Sequence, residues 1–390
     1  MKALIDSGDG GTALAVTRSL GRNGIKVTAL AKKKQAVSFY SKYCKHSMIY
    51  PSPFENPDKF VNFMLKQVKN NNYDILFTMG NPEMNLISIN RDKFLPHTKI
   101  HLVDHPILEK ANDKSETIQI AMENNIPCPQ TYFPQNIDDI RELKEKVEYP
   151  VVIKPRKSTG SKGLVYVDAP ERLVPCYKKV ISDHKFPIIQ EYIPPGGDTY
   201  GFEALYNKDS RLRAFFVHKR IREYPITGGP STLRESVRNS EIEKLSKRLL
   251  DSLNWYGLAM VEFKVDPRDK KPKLMEINPR FWGSLPLAIA SGVDFPYLLF
   301  RMVTEGDIKP VLNYRTGVKC RWLLFGDIKH LLSVMKGHSN NRIHPRFSRV
   351  NTLINFLKFY QKDLHYDFIS LDDPKPTLFK LFSPLLQKLS

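Results

Sequence analysis

A chain of 390 residues, 41% hydrophobic and 11% aromatic, can bury packed cores and is long for one of them, so two or three subdomains are expected and disorder is not. A net charge of +19 and a pI near 9.6 favour polyanionic ligands such as nucleotides, but no nucleic-acid motif accompanies them and specific nucleic-acid binding is not expected. Cys44, Cys128, Cys176 and Cys320 lie far apart with no C-x-x-C pair, which argues against a disulfide framework or zinc cluster and fits reduced thiols in a cytoplasm.

The opening segment, MKALIDSGDGG, has no long apolar run before a cleavage site and reads as a first strand, not as a signal peptide. KALIDSG is an apolar strand, TALAVTRSLGRNG a helical pattern closed by a glycine, and KVTAL a second strand; YDILFTMG repeats the strand-then-loop theme. This alternation predicts a βαβ unit and a parallel sheet in a first α/β domain over 1–105. The turn SGDGGTA resembles a dinucleotide loop, yet Gly8, Gly10 and Gly11 do not keep the G-x-G-x-x-G spacing, and the second strand runs into AKKK without an acid. A structural, Rossmann-like layer is expected there in preference to a cofactor site.

From about 106 the pattern changes. HPILEKANDKSETIQIAMENN reads as one long helix, and the prolines of IPCPQTYF force an extended entry into the next element. PVVIKP, GLVYV, FPIIQEYI, GFEALYN and RAFFVHKRI follow as short strands between glycine and proline turns, predicting antiparallel sheet. SEIEKLSKRLLDSLNW returns to a helical period, and LAMVEFKVDPRDKKPKLMEINPR is a hairpin of two apolar strands around a polar turn. The longest apolar run, SLPLAIASGVDFPYLLF, is interrupted by Gly292, Asp294 and Pro296 and cannot supply about 20 apolar residues for a membrane span. In the tail, WLLFGDIKHLLSVMKG and TLINFLKFYQKDLHYDFISLDDP read as amphipathic helices. Residues 311–390 hold 13 Lys or Arg against 5 Asp, a net of +8. The tail is expected to pack against the rest of the chain, with peripheral contact to an anionic membrane as the alternative.

Three stretches point to chemistry. In VVIKPRKSTGSKGLVYV, Lys154 leads into a loop with Ser158, Thr159, Gly160, Ser161 and Gly163, and the chain leaves as a strand, which excludes a P-loop. Such a loop can fold over phosphates with its backbone N–H groups while a lysine neutralises charge. In IIQEYIPPGGDTYGFEAL a buried strand ends in Pro-Pro-Gly-Gly, a junction able to offer backbone to an adenine edge at Tyr192 and Ile193, with Asp198 beyond to accept from ribose hydroxyls. In the hairpin, strand alternation puts Glu276 and Asn278 on one face and Met275 and Ile277 on the other, and brings Glu262 opposite residues 276–278. Two carboxylates and a carboxamide on one face call for a cation between them, and oxygen-only ligands suit Mg²⁺ completed by phosphate and water. Arg280 follows within reach of phosphoryl oxygens.

Taken in order, these motifs resemble the ATP-grasp superfamily: an α/β domain, a lysine opening a helix (Lys114 in ANDKSET), a strand lysine with a glycine-rich lid loop, an adenine hinge (QEYI) and a metal hairpin ending in MEINPR. The resemblance covers about residues 1–305. It implies a two-subdomain ATP-grasp fold over 106–305, with a lid at 115–190 and a metal-binding part at 191–305, followed by a basic, mostly helical extension over 306–390. It also implies that Lys114 and Lys154 bind the α- and β-phosphates, that Ser158, Gly160, Ser161 and Gly163 close over the β- and γ-phosphates, and that Glu191, Tyr192 and Ile193 meet adenine and Asp198 the ribose. Glu262, Glu276 and Asn278 would hold two Mg²⁺, with Mn²⁺ as a substitute, and Arg280 would stabilise phosphoryl transfer.

The activity so implied is ATP-dependent joining of a carboxylate to an amine through an acylphosphate, as in the carbamoyl-phosphate-synthase-like and D-aspartate-ligase-like branches. HKRIREYPITGGPSTLRES resembles the segment beside the acyl acceptor, making Arg220, Arg222, Ser231 and Arg234 candidates for gripping an acidic substrate. Partners are then small carboxylates and amines, with a homodimer as the usual assembly of similar enzymes. The competing readings are an ATP-grasp kinase of a small molecule and a basic binding protein without catalysis.

Overall fold

The computed structural model describes residues 1–158, 160, 162–337 and 347–386. Its strands form three sheets. The first has five parallel strands, β1 (Lys2–Ile5), β2 (Lys26–Ala31), β3 (Cys44–Ile49), β4 (Ile75–Phe77) and β5 (Lys99–Ile100), in the order β3-β2-β1-β4-β5. The apolar runs of β1, β2 and β4 are buried almost throughout, as parallel strands covered on both faces must be. The helix Pro57–Asn71 shows the matching period, burying Phe60, Val61, Met64 and Val68.

The second sheet is a four-stranded antiparallel one, ordered β6-β9-β7-β8 from β6 (Thr131–Tyr132), β7 (Val151–Lys154), β8 (Val165–Val167) and β9 (Ile188–Glu191). The third has seven strands: β10 (Thr199–Tyr206), β11 (Leu212–Glu223), β12 (Ser231–Ser236), β13 (Gly257–Val265), β14 (Pro272–Asn278), β15 (Lys319–Arg321) and β16 (Leu364–Tyr366). They lie in the order β14-β13-β10-β11-β12-β15-β16. One face of this sheet packs Val261, Phe263, Leu274 and Ile277 against Leu245 and Leu249 of the helix Ser240–Ser252. On the opposite face the same alternation aligns Met260, Glu262 and Lys264 on β13, and Phe216, His218 and Arg220 on β11. Phe216 and Met260 join the core shared with the first sheet, while the polar ends of these rows form a cavity wall.

Three expectations are corrected. The expected single helix over the 106–125 region is two, His105–Asn112 and Lys114–Glu123, because Asp113 turns extended and its carboxylate caps the second by accepting from the Ser115 N–H at 2.9 Å. Met275 does not share a face with Ile277: the register slips between Glu262 and Phe263, and this bulge turns Met275 to the cavity. The tail is less helical than its period suggests and does not stand apart, since β15 pairs with β12 and β16 with β15 in the third sheet.

The tail does pack on the rest of the chain, through three buried acids. Asp327 meets Arg222 at 2.8 Å and Arg321 at 2.6 Å, Asp367 forms a two-pronged pair with Arg234, and Asp373 meets Arg18 at 2.9 Å. Each acid is at most 9% exposed, so these are interior ion pairs. Among the described residues no helix is long and apolar enough to cross a membrane.

Candidate active site

A cavity of about 420 Å³ lies where the second and third sheets meet, and most of the expected residues line it: Lys114, Lys154, Ser158, Gly160, Glu191, Tyr192, Ile193, Arg220, Ser231, Glu262, Glu276, Asn278 and Arg280. Gly163, Asp198, Arg222 and Arg234 are not among its lining residues, and Ser161 lies outside the described residues. Gly163 has φ +73° and a Cβ there would sit 2.9 Å from Pro155, so the loop requires glycine at this turn. Asp198 accepts from the Tyr200 hydroxyl at 3.0 Å and faces Lys219 at 3.6 Å.

The hairpin register decides the metal face. Glu262 is paired directly with Glu276, and Asn278 with Met260, so both carboxylates and the carboxamide face the same way. Arg220 forms an ion pair with Glu262, Lys114 lies 3.7 Å from Glu276, and the Asn278 amide donates to Glu276 at 3.0 Å. Burial holds the Glu262 carboxyl above its usual range although Arg220 opposes it. At Glu276 burial acts the same way but is outweighed by Lys114, the Asn278 amide and Arg220, which hold this carboxyl below its usual range. Two opposed carboxylates already compensated by cations are a donor set that fits Mg²⁺. Among the described residues no group of three or more His, Cys, Asp or Glu is arranged around a metal, so the rest of the shell would come from Asn278, phosphate and water.

The phosphate end is cationic. Lys114, at the start of its helix, donates to the Ser158 carbonyl at 2.6 Å, and its own backbone N–H donates to the Arg156 carbonyl at 3.0 Å, docking the helix on the loop. Lys154 is 8% exposed and donates to Gln190 at 2.5 Å. Burial, reinforced by Lys114, pulls Lys154 down to about 8. At the hinge, the Ile193 carbonyl accepts from Lys264 at 2.8 Å, and the Tyr192 ring packs edge-on against Tyr166. Glu191 is held by Arg268 and by the Gln130 N–H at 3.0 Å.

The cavity draws on elements the motifs did not flag. Gly11 and Thr12 come from the first glycine-rich turn, and Trp322, Asp367 and Phe368 from the tail. His218, Glu223 and Lys264 also line it, and strand alternation from Arg220 and Glu262 was the signal that could have found His218 and Lys264. Arg222 and Arg234, expected to grip substrate, are engaged by Asp327 and Asp367; of the three arginines only Arg220 reaches the cavity. Arg280 donates to Asn81 at 2.6 Å through Nε and to Asn278 at 3.2 Å through Nη2, so the first domain holds this guanidinium.

Residues 111–284 match the family model described as the ATP-grasp domain. The chain is 23% identical over 365 residues to the D-aspartate ligase of Enterococcus faecium, covering 86% of this chain and 84% of that one. It is 25% identical over 211 residues to the carbamoyl phosphate synthase large chain of Pyrococcus furiosus, which covers 52% of this chain and 19% of the other. Among solved structures, the L-amino acid ligase from Bacillus licheniformis aligns with a TM-score of 0.62 at 18% identity, over 80% of this chain and 78% of that one. The biotin carboxylase domain dimer of Hydrogenobacter thermophilus 2-oxoglutarate carboxylase, in complex with MgADP, ADP and bicarbonate, aligns with a TM-score of 0.67 at 14% identity, over 81% and 73% of the two chains. These likenesses establish an ATP-grasp fold.

Proposed function

We propose that this chain, with its ATP-grasp domain, is an ATP- and Mg²⁺-dependent ligase of the cytoplasm that activates a small carboxylate as its acylphosphate and joins it to an amine, releasing ADP and phosphate. The observation that carries this reading is the direct pairing of Glu262 with Glu276 in one cavity with Lys114, Lys154 and Arg280. A carboxylate is a poor electrophile, and its activation needs negative charge concentrated on phosphoryl groups to be neutralised without much solvent. Bound Mg²⁺ supplies Lewis-acid neutralisation there, held by Glu262, Glu276 and Asn278. Lys114 and Lys154 would bind the α- and β-phosphates, and Ser158, Gly160, Ser161 and Gly163 would belong to the covering loop. Glu191, Tyr192 and Ile193 would meet adenine and Asp198 the ribose. Arg280, fixed by Asn81, would meet the transferred phosphoryl group. Arg220 and Ser231 remain the substrate-facing candidates of their segment, as the pairing of Arg222 and Arg234 with tail acids leaves those two a structural role.

A screen for ADP release over amino acids and small carboxylates, each paired with amines, tests the reading. With the active acid, hydroxylamine should yield a hydroxamate. ADP release without hydroxamate would favour phosphorylation of a hydroxyl, and no ADP release with any pair would favour a binding protein.

Nucleotide affinity should also depend on pH through Lys154. Its charged form is the one that pairs with phosphate, and it is lost as pH rises through about 8. Binding measured by calorimetry should therefore weaken about tenfold from pH 7 to pH 9, and the dependence should vanish in Lys154→Met.

A further inference from the structure

One polar group in the cavity wall has no part in holding nucleotide or metal. His218 is 1% exposed, lines the cavity, and is the sole imidazole among its lining residues. Its position follows from one row across the third sheet: Ser236 on β12 is paired with His218 on β11, His218 with Gly201 on β10, Gly201 with Glu262 on β13, and Glu262 with Glu276 on β14. Residues paired in one row face the same way, so His218 shares the face of the metal carboxylates, one strand removed from Glu262. Gly201 creates that proximity. A Cβ at Gly201 would lie 2.3 Å from His218 Cε1, so the imidazole occupies the space of the missing side chain.

The ring is also oriented. His218 Nδ1 lies 2.6 Å from Glu203 Oε1, a close charge contact without the angle of a hydrogen bond, and the side chain of Glu203 is fully buried. The Ser284 hydroxyl donates to the same oxygen at 3.0 Å, while Glu203 Oε2 is buried without a hydrogen-bond partner among the described residues. A buried carboxylate, imidazole and hydroxyl gain little stability over apolar groups of the same size, so packing alone gives no reason for this trio. With Nδ1 turned to Glu203, Nε2 is the nitrogen left for the cavity, and a carboxylate beside Nδ1 favours the ring that has gained a proton at Nε2.

We propose that His218, positioned by Glu203, is the base that deprotonates the attacking amine in the second half of the reaction. The inference rests on the ligase reading. An amine bound as its ammonium form has no lone pair; His218 Nε2 takes one proton and later yields it to solvent. The nitrogen then attacks the acyl carbon, the C–N bond forms, and the C–O bond to phosphate breaks with its electron pair leaving on phosphate. The second nitrogen proton leaves with that phosphate, completing the amide.

The test separates the two half-reactions, using the acid and amine selected by ADP release and hydroxylamine as the alternative nucleophile. Hydroxylamine is neutral at pH 7 and needs no base to expose its lone pair. His218→Gln should lower amide formation about 10²–10³-fold while hydroxamate formation stays within about threefold of wild type, which also shows that the variant is folded. Gly201→Ala, which displaces the ring without removing it, should give the same split, and Glu203→Gln a smaller loss of about tenfold. Amide formation within about threefold of wild type in His218→Gln, or equal losses in both reactions, would overturn the assignment. If wild type forms amide but no hydroxamate, the acylphosphate reading fails and this inference falls with it.

Discussion

Replacing Glu276 by Gln is expected to lower Mg-ATP turnover by about 10²–10³-fold with the fold retained. Of the two facing carboxylates, Glu276 is the one its surroundings hold below the usual range, with Lys114 at 3.7 Å and the Asn278 amide donating at 3.0 Å. Gln is isosteric, and the Glu276 side chain is 27% exposed, so the loss of charge opens no cavity in a core. Lys114, the Asn278 amide and Arg220 favour the charged form in the folded chain, so the neutral variant gives up a little stability and its thermal unfolding temperature should fall slightly without loss of the fold. Turnover is measured as ADP release, with circular dichroism as the check on folding. A variant within about threefold of wild type would sink the metal assignment and favour a binding protein that has kept the fold.

Replacing Asp367 by Asn should destabilise the protein by about 3–5 kcal/mol, because it strands a buried guanidinium. Arg234 has a side chain only 1% exposed and directs both Nη groups at Asp367. Its Nε is buried without a partner among the described residues, and Glu203 is left to act on the charge without a hydrogen bond to it. The double change Arg234→Met with Asp367→Leu should recover much of the loss, since a matched apolar pair avoids the desolvation of both ions. Chemical unfolding of the two variants and wild type measures both effects. Equal stability of Asp367→Asn and wild type would show that the tail is an appendage and not part of the third sheet.

The legible part of the site is the part made by local rules. Strand alternation put Glu276 and Asn278 on one face, and a polar turn between apolar runs made the hairpin, whereas Lys114 at a helix start came only from the family resemblance. The first two need only residues close in sequence, and the resemblance of the motif order to ATP-grasp proteins carried the fold and the nucleotide chemistry. What failed also has local causes. A carboxylate cap at Asp113 is compatible with a continuous helical period, so the period hid the break. A bulge adds one residue to one strand, and nothing in MEINPR marks where it falls.

Local patterns in the sequence were enough for the α/β order of the N-terminal part, the antiparallel sheets after it, and the acids and the strand lysine proposed for an ATP site. Which cations line the cavity was settled only by the packing of distant parts of the chain. Arg220, Arg222 and Arg234 alternate on one segment and look equivalent, but Asp327 and Asp367, about a hundred residues later, engage the last two and leave Arg220 in the cavity. The same packing also decided that Asn81 holds Arg280 and that Glu203 lies against His218, with one strand between His218 and Glu262. The physical reason is range: alternation and turns are set over a few residues, whereas a buried charge is compensated by whichever acid the packing brings to it, however distant in the chain.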